Sequence, residues 1–354
     1  MTPLEREIRR IIATQGPISV DQYMLLCLAH PQHGYYVTRD PLGTKGDFTT
    51  APEISQMFGE LIGAWAAAVW QQMGTPPSLR LAELGPGRGT LMADALRAAG
   101  AVPAFRAALS VHLVETSPVL RSAQEKTLAA VGVPVSWHGG IEDVPEGPVI
   151  AIANEFVDAL PVSQFVKDRD GWHVRMVTVE NERLAFAVSP DPIPGLARAA
   201  EATGALIEVR QDRPIAVLAR RIASHGGAAL VIDYGHARAG FGDTLQAVRA
   251  HKFADPLVDS GAADLTAQVD FAALAETARR GGTQVHGPTT QGAFLWRLGI
   301  AQRAARLKQR ATAQQARDID AALARLTAPE QMGELFKVLA FGHPDLGPLP
   351  GFDS

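Results

Sequence analysis

A chain of 354 residues, 47% hydrophobic and 20% charged, has ordinary globular composition, and its length allows two domains or one enlarged by insertions. The net charge is −4 with Lys and Arg scattered along the sequence, which excludes the basic stripe of a nucleic-acid binder and leaves a protein or a small molecule as partner. A single cysteine, Cys27, excludes an internal disulfide and a cysteine-based zinc site; in the apolar run "YMLLCLAH" it reads as a buried thiol.

The first residues, "MTPLEREIRRIIATQG", carry Glu5 and Glu7 among arginines and predict an amphipathic helix rather than a signal peptide, so a cytoplasmic protein is expected. His30 and His33 in "HPQHGYY" have no third partner at metal spacing and read as structural, so no metal is expected. The glycine-containing "GTKGDF" (43–48) reads as a lid over a cofactor, with Asp47 as a polar contact. Thr50 and Glu53 spell a T-x-x-E capping box with Pro52 in the first turn. The run "LIGAWAAAVW" that follows is about ten residues, too short to cross a bilayer, so no membrane insertion is expected. Residues 1–75 thus form a helical region with the lid, ending at the turn "GTPPS". Residues 76–354 form the core.

From Leu79 onward, apolar runs alternate with helix-like stretches. Strands are predicted at 79–84, 111–115, 133–137, 148–154, 228–235, 283–287 and 334–341, with "TLMADALRAAG" helical between the first two and Gly100 closing it. Strand, helix, strand at this spacing predicts an α/β fold with a parallel sheet covered on both faces. Two stretches interrupt the rhythm and mark insertions. Residues 163–225 contain a β-ribbon over 163–188 that turns at Asp170-Gly171 and Glu180-Asn-Glu182, and residues 292–332 are helical.

The stretch "ELGPGRGT" opens the chemistry. No Lys follows Gly89, which excludes a P-loop, and Thr90 stands where the dinucleotide fingerprint needs its third glycine. Glu83, two residues before Gly85, would repel a pyrophosphate and attract an ammonium and a sulfonium. S-adenosylmethionine is that ligand: Gly85, Gly87 and Gly89 permit the tight turn, and Glu83 accepts from the methionine ammonium. Glu115, ending the second strand, is the candidate for the ribose hydroxyls. After the third strand, Glu142 or Asp143 is the candidate for the adenine amino group. The fourth strand ends at Asn154-Glu155 beside the first, where an open parallel sheet meets its ligands.

The stretches "GDFTTAPEISQMFGE", "ELGPGRGT", "NEFVDALPV", "VIDYG" and "HKFADPLVDSGAADLTAQVDF" together closely resemble the MidA-like family over nearly the whole chain. The resemblance implies a class I methyltransferase of Rossmann-like fold, with a seven-stranded, mostly parallel sheet and helical additions, that uses S-adenosylmethionine to methylate arginine in a protein. A subunit of respiratory complex I is the acceptor implied, and a homodimer is the candidate assembly. Methylating a guanidinium requires one nitrogen to be turned toward the methyl group with its lone pair free, which carboxylates arrange by holding the charge on the other nitrogens. Glu155 is the first candidate for that clamp and Asp158 the second, the two sharing a face if the segment is helical. Tyr234 is expected to wall the acceptor pocket, and His251 is a candidate proton acceptor.

Overall fold

The apolar runs from Leu79 onward form one sheet in the computed structural model, which describes residues 1–41, 43, 46–47, 49–196 and 202–352. In chain order its strands are β1 (Leu79–Leu84), β2 (Leu109–Val114), β3 (Val135–His138), β4 (Val149–Asn154), β5 (Gly227–His236), β6 (Gln284–Thr290) and β7 (Phe336–Gly342). They lie in the order β3-β2-β1-β4-β5-β7-β6, and β7 runs antiparallel to both its neighbours. A two-residue strand, Val269–Asp270, pairs with β5. The order reverses between β1 and β4, so the chain leaves these adjacent strands in opposite directions and opens a crevice at their carboxyl ends. All six residues of β4 are buried, as a strand covered on both faces requires, which is why it is apolar up to its last residue, Asn154.

The chain divides into two compact units. The unit holding the sheet comprises Thr49–Val157, Asp212–Arg238 and Val269–Ser354. Its helix Gln56–Gln72 packs on helix Thr90–Ala99 through glycines: a Cβ on Gly59 would lie 2.6 Å from the Asp94 Cβ, and one on Gly63 would lie 2.5 Å from the Ala95 carbonyl oxygen. The predicted C-terminal helices are present as Gln291–Arg297, Ile300–Lys308 and Ala313–Thr327, and Arg303 donates to the buried Glu60 at 2.6 Å.

The second unit comprises Met1–Phe48, Asp158–Gln211 and Ala239–Gln268. Helices Pro3–Gln15 and Val20–Ala29 accompany the predicted ribbon, whose strands Val162–Lys167, Trp172–Glu180 and Arg183–Val188 are joined by Leu206–Arg210 and Ile18–Ser19. Asn181 and Glu182 take φ of 47° and 60°, the paired left-handed conformation of a two-residue hairpin. A separate three-stranded sheet is made by Gln246–Arg249, Lys252–Ala254 and Asp264–Thr266. This division differs from the one expected at residue 75. Helix Gln56–Gln72 belongs with the sheet because Phe58, Ile62 and Trp65 are buried in its core. The inserted stretch ends at Gln211 rather than 225, since helix Arg213–His225 returns to the sheet's unit and buries Ile215, Leu218 and Ile222.

The glycine contact between the two helices gives a direct test. Gly63→Val should lower stability by about 3 kcal/mol, because the branched side chain has no room against the Ala95 backbone. Gly347→Ala, with nothing within 4 Å of its added carbon, should change it by less than about 0.5 kcal/mol. The shift of urea midpoints between the two variants is the measurement.

Candidate active site

Beyond β1 the chain turns through Gly85, Gly87 and Gly89 at φ of 64°, 55° and 81°, conformations that a side chain would strain. A Cβ on Gly85 would lie 2.8 Å from the Phe156 ring, so that position is closed by packing as well. The Gly85 N–H donates to the Val114 carbonyl at 3.1 Å, and Gly89 leads into helix Thr90–Ala99. Gln124 pins the turn from below: its Nε2 donates to the Gly87 carbonyl at 2.7 Å and to Glu115 Oε2 at 3.0 Å, while its Oε1 accepts from Trp137 Nε1 at 2.9 Å. No sequence motif marks Gln124. Its role arises from the helix Pro118–Thr127 that carries it back under the turn.

Glu83 is 3% exposed, and its Oε2 is buried with no hydrogen-bond partner among the described residues. Burial pushes its pKa up to about 8. On the adjacent strand Asn154 is buried too, and its Oδ1 likewise lacks a partner. Buried acceptors without donors are costly, so two of them at the carboxyl ends of neighbouring strands call for a ligand rich in donors. An amino-acid ammonium supplies both the donors and the charge. Together with the glycine turn, these residues fit the methionine end of S-adenosylmethionine.

Of the acids on the neighbouring strands, Glu115 Oε1 accepts from the Ser117 N–H at 2.7 Å, and its carboxyl pKa is raised, chiefly by burial. The exposed Asp143 accepts from the Gly140 N–H at 3.1 Å, and Glu142 pairs with Arg213 at 3.1 Å. Both acids are thus engaged locally, Glu142 by a cation and Asp143 by a backbone N–H.

Glu155 follows β4 in a left-handed conformation, φ 49°, rare for a non-glycine residue and a mark of a site held by its surroundings. Residues 155–158 are not helical: the chain turns here, so Glu155 and Asp158 have no helical face to share. The turn is fastened at both ends. The Glu155 N–H donates to the Ile232 carbonyl at 2.9 Å, and the fully buried Asp233 accepts from the Val157 N–H at 2.9 Å. Asp233 also accepts from the N–H of Tyr234, whose ring lies against Phe336. Glu155 Oε1 accepts from the Ala51 N–H at 2.9 Å and from Asn154 Nδ2 at 3.2 Å. The capping box expected at Thr50 and Glu53 does not form. Thr50 makes no side-chain cap, and Glu53 is drawn away by Thr90, whose hydroxyl donates to it at 2.6 Å.

Three of the candidates, Asp47, Asp158 and His251, belong to the other unit. Asp47 accepts from the Tyr35 hydroxyl at 2.6 Å and from the Ala250 N–H at 2.7 Å, and its carbonyl accepts from the N–H of His251. Its carboxylate therefore fastens the Ala250–His251 turn, where His251 is exposed at φ 60°. Asp158 is buried, and its carbonyl accepts from Arg210 and Ala267. Of the lid predicted at 43–48, Thr44, Lys45 and Phe48 lie outside the described residues. His30 and His33 stack 5.3 Å apart, with His30 3.2 Å from Glu7.

Residues 61–289 match the model of a family of S-adenosyl-L-methionine-dependent methyltransferases. The mitochondrial protein arginine methyltransferase NDUFAF7 homolog of Drosophila melanogaster is 38% identical over 99% of this chain and 88% of its own length. The mitochondrial protein arginine methyltransferase NDUFAF7 of Mus musculus is 39% identical over 96% of this chain and 84% of its own. Among solved structures, a protein from Burkholderia thailandensis bound to S-adenosyl-homocysteine superimposes with a TM-score of 0.83 at 29% identity, covering 98% of this chain and 93% of that one. The cytoplasmic location expected from the sequence is overturned by these names, since the curated relatives are mitochondrial proteins.

A carboxyl group with this pKa would make the binding of an ammonium depend on pH. Without ligand, Glu83 keeps its proton up to about pH 8, and a raised carboxyl pKa means that this site weakens the ligand-free fold as pH rises from the ordinary 4.5 toward 8. An ammonium needs the carboxylate, so binding below pH 8 must expel a proton. S-adenosyl-homocysteine affinity should therefore fall as pH drops from 8 to 6, by up to about tenfold per unit. Calorimetry at pH 7 in two buffers of different ionisation heat should detect a proton released by the parent and none by Glu83→Gln.

Proposed function

We propose that this chain, which belongs to the S-adenosyl-L-methionine-dependent methyltransferase family, transfers a methyl group to an arginine guanidinium of a protein. The pair of partnerless acceptors, Glu83 Oε2 and Asn154 Oδ1, carries the cofactor half of the reading. The cofactor supplies an electrophilic methyl group on sulfur. Glu83 and Asn154 receive its ammonium, the glycine turn admits its backbone-hugging approach, Glu115 receives the ribose hydroxyls and Asp143 the adenine amino group.

The acceptor half rests on Glu155 and on the arginine methyltransferase names of relatives that match nearly the whole chain. Glu155 stands at the end of β4, in a conformation fixed by Ile232, Asp233 and Ala51 rather than left to solvent. A fixed carboxylate can hold the positive charge on two guanidinium nitrogens while the third faces the methyl group. Tyr234 walls the acceptor side of the same strand ends. A subunit of respiratory complex I is the first acceptor to test, as the family resemblance implies.

Glu115→Ala should weaken S-adenosyl-homocysteine binding by about 1–3 kcal/mol, through lost hydrogen bonds to a charged group. Unchanged affinity in calorimetry would remove Glu115 from the cofactor site.

Glu155→Gln keeps an acceptor for the Ala51 N–H but loses the charge and turns an amide NH2 toward a donor. Arginine-peptide methylation should fall about a hundredfold, equivalent to about 3 kcal/mol, with S-adenosyl-homocysteine affinity unchanged. A matching lysine peptide should be a poor substrate of the parent, because an ammonium has no planar fork and must lose a proton before it attacks. Full activity of Glu155→Gln, or equal use of lysine, would move the reading to a different acceptor. A chain that binds S-adenosyl-homocysteine and methylates nothing would be an assembly factor instead.

A further inference from the structure

The short helix Ala51–Ile54 touches both halves of the site. At one end its Ala51 N–H donates to Glu155 Oε1 at 2.9 Å. Two residues on, Glu53 accepts from the Thr90 hydroxyl at 2.6 Å and lies 3.7 Å from Arg88 Nη1. Arg88 and Thr90 flank Gly89, the last glycine of the cofactor turn. Four residues thus connect the turn to Glu155 through side chain on one side and backbone on the other. The sequence suggested a capping box here. In such a box Glu53 would bond back to the N–H of Thr50 and close the helix on itself. Instead that carboxylate is spent on the cofactor turn, at the expense of a cap that the helix could have had.

We propose that Glu53 is a positioning residue that links the two halves: by gripping Thr90 it sets helix Ala51–Ile54 against the glycine turn, and through the Ala51 N–H it sets Glu155. The inference rests on the reading of Glu155 as the acceptor clamp. Its physical content is that ordering the turn around a ligand tightens the Glu53–Thr90 contact, which holds Ala51 against Glu155, so that a filled cofactor site prepares the acceptor carboxylate. Glu155 Oε1 accepts from both Ala51 and Asn154, and Asn154 itself carries one of the two partnerless acceptors of the cofactor site. The helix and Asn154 therefore approach Glu155 Oε1 together, and both answer to the same ligand.

The test is hydrogen exchange of the amides over residues 50–58, with and without S-adenosyl-homocysteine, in the full-length protein. In the parent, the ligand should slow exchange in this segment at least threefold. Glu53→Ala should abolish that slowing and weaken S-adenosyl-homocysteine binding about tenfold, with an apparent melting temperature within a few degrees of the parent. Glu53→Gln, which can still accept from the Thr90 hydroxyl, should recover most of both effects, a rescue that a merely structural carboxylate would not give. Thr90→Val removes the other side of the contact and should reproduce Glu53→Ala, which covers the case in which that variant fails to fold. If the ligand leaves the segment's exchange unchanged in the parent, or if both Glu53→Ala and Thr90→Val respond to it as the parent does, the link does not exist. Failure of the acceptor reading would show separately, as full arginine-peptide methylation by Glu155→Gln, while the exchange result stands on its own.

Discussion

A carboxyl group buried with one oxygen unpartnered is the constraint around which the catalytic unit is arranged. Glu83 lies one residue before the end of the strand at which the sheet reverses its order, so an unmet acceptor stands near the carboxyl end of that strand, where the topology opens a crevice. Protein interiors seldom tolerate such a group, and its raised pKa is the form the cost takes in the absence of a cationic ligand. A phosphate ligand would make the cost worse and an ammonium removes it. The glycine turn would admit many ligands; a buried carboxyl group beside it would favour a cationic one.

Much of this was legible in the sequence, for a physical reason. Parallel strands are covered on both faces, so β1, β2, β4 and β5 read as predominantly apolar runs, and the glycines stand where left-handed backbone is needed. Glu83 could be found because its charge contradicts its setting. The division into two units was not legible. The second unit gathers three separated segments, 1–48, 158–211 and 239–268, and the contacts that join them are long-range in sequence and leave no local pattern. The 239–268 segment read as continuous with the core because nothing in "HKFADPLVDSGAADLTAQVDF" announces an excursion.

The residues whose roles sequence reasoning missed share one property: each acts by holding something else. Gln124 joins the turn carbonyl, Glu115 and Trp137; Asp233 holds the turn after Glu155; Glu53 holds Thr90. A side chain that touches a ligand must have matching chemistry, which residue type reveals. A supporting side chain needs only a donor or acceptor in the right place, and many residues can provide that. The T-x-x-E pattern at Thr50 shows the difficulty directly. The local capping partner and the distant Thr90 hydroxyl compete for one carboxylate, and the tertiary contact prevails.

The same competition explains why Glu155 adopts a conformation that its own side chain disfavours. A left-handed φ at a non-glycine residue costs on the order of 1 kcal/mol or more and persists only where neighbours over-determine it. Here the backbone is held before the turn by Ile232 and after it by Asp233, while the carboxylate is held by Ala51 and Asn154. None of these contacts uses a loop tip. Ile232 and Asp233 lie within β5 and Asn154 ends β4, so the strain is carried by the most deeply buried part of the sheet. A glycine at position 155 would relieve the strain but leave no carboxylate. An ordinary extended residue would keep a side chain and redirect it, since the N–H bonds to Ile232 and Asp233 fix the path of the turn. The conformation and the carboxylate are therefore specified together, which is how a rigid sheet can hold one carboxylate in a defined place at the strand ends where the topology opens its crevice.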